Sequence, residues 1–427
     1  MVEVAPNEPT GFYSPLTLFL NSIQEPRERM KIAHLDLESP LVLVGLSQFA
    51  MSMAFSLTDP VLPIYAESFG ISYSLVGLIL SSFGFTRIFF EIPGGLIMER
   101  FGRKRLLLIG FLISAVSQVI AGLAQSYVEL MISRMMIGVG SALELTSSLT
   151  LIGELSTREN RQSNIAHYQS AGAAAQIIAP TIGGVLSQFV SLRVTFMVSA
   201  LLSITGAYIV SRIGVENETR TDQPRSPVPA FSGLGRLLLD LRVIAVAASA
   251  MAMFLLFSSV RGTMIPLYAD NVLHLDSSQI GLIFSITSAT IFLVLLFLTE
   301  PLERVLGRSR LLSVSLLLCS LSVLILSLPS GFVAFAIASV PLGVGFGLLQ
   351  PIPFAMIIDL SEPRNRGLMM GTVRTVADLG IILGPNIVGW LLGVGEPAWV
   401  FYLIAVIIGG VSILTWAAFR RSEKKEG

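Results

Sequence analysis

Phe101-Gly102-Arg103-Lys104-Arg105 returns as Leu306-Gly307-Arg308-Ser309-Arg310, 205 residues further along the chain. Other stretches repeat at the same offset. Gly138-Val139-Gly140 returns as Gly343-Val344-Gly345, Glu154-Leu155-Ser156 as Asp359-Leu360-Ser361, Asn160-Arg161 as Asn365-Arg366, and Pro180 as Pro385. Self-similarity at one long period marks a chain built from duplicated units.

Between these landmarks the sequence is almost continuously apolar. A helix needs about twenty apolar residues to cross ~30 Å of hydrocarbon. That length predicts some twelve spans, beginning near Leu41, Tyr73, Leu106, Val128, Ile165, Val194, Val243, Ile280, Leu311, Phe332, Gly367 and Trp399. Six spans per unit leave the two copies in the same orientation, with their axis along the membrane normal and a cleft between them as the natural place for a solute. The organisation expected is a tail over 1–39, a bundle over 40–214, a Glu-, Arg-, Pro- and Ser-rich linker over 215–238, a second bundle over 239–419 and a tail over 420–427.

Composition agrees with lipid as the solvent. Hydrophobic residues make up 53% of the 427 residues and charged ones 13%, too little polar surface for a water-soluble body of this size. The 28 cations balance 28 anions, which gives no overall attraction for nucleic acid. The four lysines, Lys31, Lys104, Lys424 and Lys425, all lie outside the apolar runs, so neither a buried Schiff-base lysine nor a phosphate-loop lysine is in place. That argues against a retinal protein and against an ATP-driven pump. Cys319 is the single cysteine, and His34, His167 and His274 lack metal-ligand spacing, so no disulfide, metal or other cofactor is expected. The stretch before the first span begins with Glu3 and Glu8 and does not have the form of a secretory signal. Residues 14–34 read equally as a surface helix or a loose tail.

Lysine and arginine stay on the cytoplasmic side of a membrane. Here they gather in the even-numbered connections, from Arg100 to Arg105, at Arg158 and Arg161, from Arg212 to Arg242, from Arg304 to Arg310, at Arg364 and Arg366, and at both ends of the chain. The odd-numbered connections hold only Arg193. Both termini are therefore expected in the cytoplasm, with the chain multi-pass in a plasma or inner membrane.

Gly95-Leu96-Ile97-Met98-Glu99-Arg100-Phe101-Gly102-Arg103-Lys104 resembles the signature of the major facilitator superfamily, Gly-x-Leu-x-Asp-Arg-x-Gly-Arg-Arg/Lys, departing from it at Ile97 and Glu99. The resemblance extends over length, span number, duplication and linker. It implies an all-α membrane protein of twelve transmembrane helices in two pseudo-symmetric six-helix bundles, a transporter rather than an enzyme, working as a monomer by alternating access. Within it Gly95, Glu99, Arg100, Gly102, Arg103 and Lys104 form a cytoplasmic gate, a charge lock beneath the two halves. The plainer reading is that they only anchor topology.

In the fourth span Arg134-Met135-Met136-Ile137-Gly138-Val139-Gly140 resembles the family's second motif, whose arginine is linked to proton coupling. Ser339 occupies the repeat position of Arg134, so the architecture itself does not require the charge. Asp59 enters the first span to a depth similar to that of Arg134, which makes the two a candidate coupling pair. A permanent salt bridge and a helix-end role for Asp59 before Pro60 compete with that reading. The fifth and eleventh spans carry Gly172, Pro180, Gly183 and Gly184, and Gly384 and Pro385. These resemble an incomplete antiporter element, which favours export, although proline kinks and small residues also serve plain packing.

Further charges fall inside spans, where the bilayer penalises them and function is the default expectation. Arg87 with Glu91, and Arg374 with Asp378, are four residues apart and can each neutralise themselves within one helix. Glu144 and Arg261 have no such neighbour and are expected to face a watery cavity. The proton-coupling and substrate set is thus Asp59, Arg134, Glu144, Arg261 and Asp378. Met51, Met53, Met251, Met253, Phe49, Phe55, Phe254 and Phe257 recur in the first and seventh spans and read first as packing. The functional expectation is proton-coupled efflux of a small, partly apolar organic solute. An importer or uniporter of a sugar or organic acid stands second, and an intramembrane enzyme or sensor, for which motifs are missing, stands last.

Overall fold

The computed structural model describes residues 39–157, 160–214, 240–328, 331–361 and 365–426. Expectations for residues 14–34 and for the linker lie outside these described residues. Twelve helices among them are long and apolar enough to cross a membrane. In order they are Pro40–Thr58, Tyr73–Glu91, Arg103–Leu123, Tyr127–Leu155, Arg161–Phe189 and Leu192–Ser211 in the first half. Leu241–Asn271, Ser277–Phe297, Arg308–Ile325, Phe332–Leu360, Leu368–Val394 and Pro397–Arg420 form the second half. The last span ends at Arg420, and the helix that carries it continues through the expected tail to Glu426. Arg, Glu and Lys are good helix formers, and they carry the helix past the membrane.

The glycines of the opening repeat explain why the chain can turn there. Gly102 and Gly307 separate one helix from the next at φ 84° and 76°, with ψ 151° and 154°, a backbone region that a Cβ essentially forbids. Each copy thereby makes the same tight reversal between its second and third spans.

Packing repeats as the sequence does. The first span lies against the fifth and sixth, the second against the fourth, and the third against the fourth and sixth. The seventh lies against the eleventh and twelfth, the eighth against the tenth, and the ninth against the tenth and twelfth. Two extensive contacts cross between the halves, second against eleventh and fifth against eighth, and the offset exchanges them; a smaller one joins Leu62–Glu67 to Ile265–Asn271. At both extensive contacts, backbones approach without side chains between them. A Cβ on Gly77 would strike the Pro385 carbonyl, and one on Gly281 would strike that of Pro180. Small residues allow such contact where apolar burial cannot drive association, because lipid is as apolar as the helix.

Among the described residues, every hydrogen bond between the halves lies toward the arginine-poor face. Asn271 Nδ2 donates to Glu67 Oε2 at 2.9 Å, Thr181 Oγ1 to Ser285 Oγ at 2.7 Å and Ser74 Oγ to the Gly389 carbonyl at 3.5 Å. The bundle is closed on that face.

Four spans are discontinuous among the described residues, the eighth resuming past Leu298 as Thr299–Leu306. The first ends at Asp59 and resumes as Leu62–Glu67. The seventh passes through a π-helical turn, Phe257–Met264, between Leu241–Leu256 and Ile265–Asn271. The tenth breaks between Leu349 and Ile352 at Pro351. π turns and helix breaks leave backbone and side chains irregularly placed, and they concentrate at functional sites.

Gly281→Val should lower stability by about 1–3 kcal/mol, the usual cost of overpacking. Gly410→Val, at a position where a Cβ meets nothing within 4 Å, should leave it unchanged. Thermal denaturation midpoints of the two variants in one detergent check this.

Candidate functional site

The spans bring the buried charges together in two groups at different depths, and each group takes members from both halves. The first lies toward the arginine-poor face. Asp59 caps the broken end of the first span, its N–H donating to the Phe55 carbonyl at 3.2 Å. It sits in the combined field of Arg261, from the seventh span, and Arg134, from the fourth. No described cation closes on Asp59 as a direct ion pair, so its carboxylate faces the two guanidiniums across a gap.

Those guanidiniums are held by other means. Arg261, 2% exposed, donates from Nη2 to Ser288 Oγ at 3.0 Å and lies 4.8 Å from the Phe284 ring and 5.0 Å from the Phe257 ring. Arg134 lies 5.3 Å from the Phe83 ring. Ring faces attract cations electrostatically, most strongly where water is excluded. Stacking therefore holds both guanidiniums in position without a direct ion pair to Asp59. Nε of each is buried without a hydrogen-bond partner, and donors in that state seek an acceptor.

The second group lies deeper, toward the arginine-rich face. Arg374 Nε stands 3.6 Å from Asp378 Oδ2, and the Arg374 guanidinium lies 5.3 Å from the Phe254 ring and 6.0 Å from that of Phe354. Asp378 is 1% exposed, and neither of its oxygens has a hydrogen-bond partner. Across the interface, Arg87 lies in the field of Arg374 and Asp378 before that of Glu91 or Glu144. Glu144 is 5% exposed, with Arg87 as its cationic neighbour and Tyr168 beside it.

The spacing reading is therefore half met. Arg374 and Asp378 do pair along one helix, whereas Arg87 and Glu91 do not close into an ion pair. Helix rotation turns Arg87 toward the other half. Asp59 answers to two arginines, not to Arg134 alone, and Glu144 and Arg261 both have partners in other spans. Phe254 and Phe257, read from sequence as packing, are arginine-stacking rings. The signal available for Phe257 was its four-residue spacing from Arg261 in the same span, whereas Phe254 stacks on Arg374 of another span and gave none. Phe83, Phe284, Phe354 and Ser288 gave no comparable signal.

The gate motif behaves differently from the expected lock between halves. Arg103 pairs with Glu154 of its own half at 2.5 Å, and its repeat mate Arg308 pairs with Asp359 and, at 2.5 Å, with Glu303. Lys104 donates from Nζ to the Ile213 carbonyl at 2.5 Å, closing the third span onto the end of the sixth. Each half satisfies these cations internally while the opposite face of the bundle is closed. The side chains of Gly95, Glu99 and Arg100 lie outside the described residues.

The antiporter-like residues form seams. Pro180 and Gly184 meet the eighth span at Gly281 and Ser277, Gly183 abuts Leu57 of the first span, and Gly384 abuts Leu255 and Ser258 of the seventh. Gly172 faces Gln48 and Ser52. Pro385 meets Gly77 across the interface. Among the described residues no cluster of His, Cys, Asp and Glu suits a metal ion.

Twelve spans in two mated bundles, with charges sequestered between them, define a multi-pass membrane transporter for small molecules. The chain belongs to the Major Facilitator Superfamily, whose family model matches residues 44–268 and 250–427. Among its relatives, Multidrug resistance protein 1 of Bacillus subtilis is 24% identical over 380 residues, covering 88% of this chain and 96% of the relative. Quinolone resistance protein NorA of Staphylococcus aureus is 24% identical over 383 residues, with the same two coverages of 88% and 96%. A solved structure of the peptide transporter POT in complex with sulfate superposes with a TM-score of 0.75 at 14% identity, covering 90% of this chain and 94% of that one. It carries the fold alone.

Removing one partner of a buried ion pair strands the other, at a typical cost of about 3–5 kcal/mol. Arg374→Met should therefore destabilise the protein markedly, and Arg374→Met with Asp378→Asn should recover most of the loss. Thermal midpoints of the single and double variants decide this.

Proposed function

We propose that this protein is a proton-coupled exporter of small, partly apolar organic solutes, working by alternating access in the cell membrane. The observation that carries the reading is Asp59, set between an arginine of its own half and one of the other half. A carboxylate there has two states with opposite consequences for the cleft. Ionised, it attracts Arg261 across the interface and holds the first and seventh spans together. Protonated, it loses that attraction, and the two arginines repel each other and any cationic solute. A proton and the opening of the arginine-poor face are then linked through a single group, which supplies the differential interaction that any switch requires.

Asp378 and Glu144 set two further buried carboxylates nearer the arginine-rich face, so the cleft carries acidic groups at two depths. The aromatic rings around the arginines supply the apolar contacts that a planar organic solute would share. Export, as opposed to import, is supported by the seams at Pro180 and Pro385 and by the multidrug and quinolone resistance proteins among the relatives. The arginine-rich face is assigned to the cytoplasm because cationic loops are retained there. Both termini then lie inside, and one chain, holding both halves of the cleft, acts as a monomer.

Inside-out vesicles carrying the wild-type protein should accumulate a quinolone when a pH gradient is imposed and stop when it is collapsed. Asp59→Asn should reduce gradient-driven accumulation at least tenfold, with the protein still inserted at wild-type level. If Asp59→Asn, Glu144→Gln and Asp378→Asn all retain gradient-driven accumulation, coupling through these carboxylates is wrong.

A further inference from the structure

We propose that a cleft between the ninth and twelfth spans, at the arginine-rich face, binds the phosphate group of an anionic phospholipid. It is lined by Ser309, Arg310 and Ser313 from the ninth span and by Trp416, Phe419 and Arg420 from the twelfth, around a cavity of about 130 Å³. That is well below the ~300 Å³ lower end for drug-sized ligands. The transported solute does not fit there, whereas a headgroup phosphate does.

The repeat shows why the space exists. In the first half the corresponding corner is filled by Lys104, whose ammonium reaches the Ile213 carbonyl just beyond the end of the sixth span at 2.5 Å. In the second half Ser309 stands in place of Lys104. The twelfth helix, moreover, runs on to Glu426 and presents no free carbonyls at that level. Deeper in the membrane the two spans are fastened, with Ser320 Oγ donating to the Ala405 carbonyl at 2.7 Å and Ser412 Oγ to the Ser313 carbonyl at 2.8 Å. Both described side-chain hydrogen bonds between these spans lie at Ser313 or deeper.

The lining chemistry selects the ligand. Arg420 stacks on Trp416 with its guanidinium carbon 4.7 Å from the ring. Stacking engages the face of the guanidinium and leaves its N–H donors in the plane, the fork geometry that matches phosphate oxygens. Arg310 enters from the facing helix, and Ser309 and Ser313 add hydroxyl donors. Trp416 is 49% exposed on a helix that faces lipid, the position of the aromatic belt at a membrane interface. A ligand with a phosphate for the arginines and an acyl chain beside Trp416 and Phe419 is a phospholipid. Basic pockets between spans are general sites for anionic headgroups.

The test is native mass spectrometry of the full-length protein released from neutral detergent, with phosphatidylglycerol, phosphatidylcholine or inorganic phosphate added at equal concentration. Wild type should keep a phosphatidylglycerol adduct at collision energies that strip phosphatidylcholine. Arg310→Gln with Arg420→Gln should lower its retention at least tenfold, and Trp416→Leu, which keeps both cations, should lower it about threefold. Thermal midpoints of both variants should match wild type without lipid, which separates loss of binding from loss of fold. Equal phosphatidylglycerol retention by wild type and the double variant would overturn the site. Equal retention of phosphatidylcholine would overturn its anionic preference, and equal stabilisation by inorganic phosphate would overturn the lipid assignment.

Discussion

A charge inside a bilayer has to be compensated by the protein that carries it, and here much of the compensation comes from the other half of the same chain. Asp59 looks toward Arg261, and Arg87 toward Asp378, with Arg374 beside them as an opposing like charge. Arg261 in particular has no described carboxylate within its own half in its field, and the anion that faces it, Asp59, belongs to the other. The cleft is therefore a place where two bundles complete each other electrostatically, and moving one bundle against the other changes the energy of every charge in it. Aromatic rings let this happen without locking. Stacking and one serine hold Arg261, stacking holds Arg134, and the carboxylate between them closes no described ion pair with either.

Close backbone contact supplies the other half of the arrangement. Gly77 against Pro385 and Gly281 against Pro180 are repeat mates, so the two seams are alike and lie on opposite sides of the pseudo-axis. Contacts of this kind are short-ranged and have little polar content, which lets helices slide or part at small cost once the polar ties at the arginine-poor face are released. The ion pairs Arg103–Glu154 and Arg308–Asp359 stay within their own halves. Each bundle can thus move as a unit with its loops attached.

Much of this was legible in the sequence, and the limits have a physical cause. Span number, duplication and the glycine turns follow from apolar length and from a single offset, because lipid imposes length and Cβ sterics impose glycine. Asp59, Arg134, Arg261 and Asp378 were legible as candidates because a buried charge is conspicuous in an apolar run. Their partners were not. Within an all-apolar helix no hydrophobic periodicity fixes rotation, so the four-residue spacing of Arg87 and Glu91 suggested a local pair where the fold turns Arg87 across the interface. The π turn that carries Arg261, the closure of Lys104 on Ile213, and the ring beneath Arg134 all depend on tertiary packing between elements distant in sequence.

The central claim is that the charge state of Asp59 governs whether the halves are joined at the arginine-poor face, and an interspin distance measures it most directly. Spin labels at Ser68→Cys and Val272→Cys, in a Cys319→Ser background, report on the ends of the first and seventh spans beside the Glu67–Asn271 bond. In lipid nanodiscs, acidification should shift the wild-type distance distribution toward longer values. Asp59→Asn should show the longer population at every pH. A pH response in Asp59→Asn identical to that of the wild type would contradict the account.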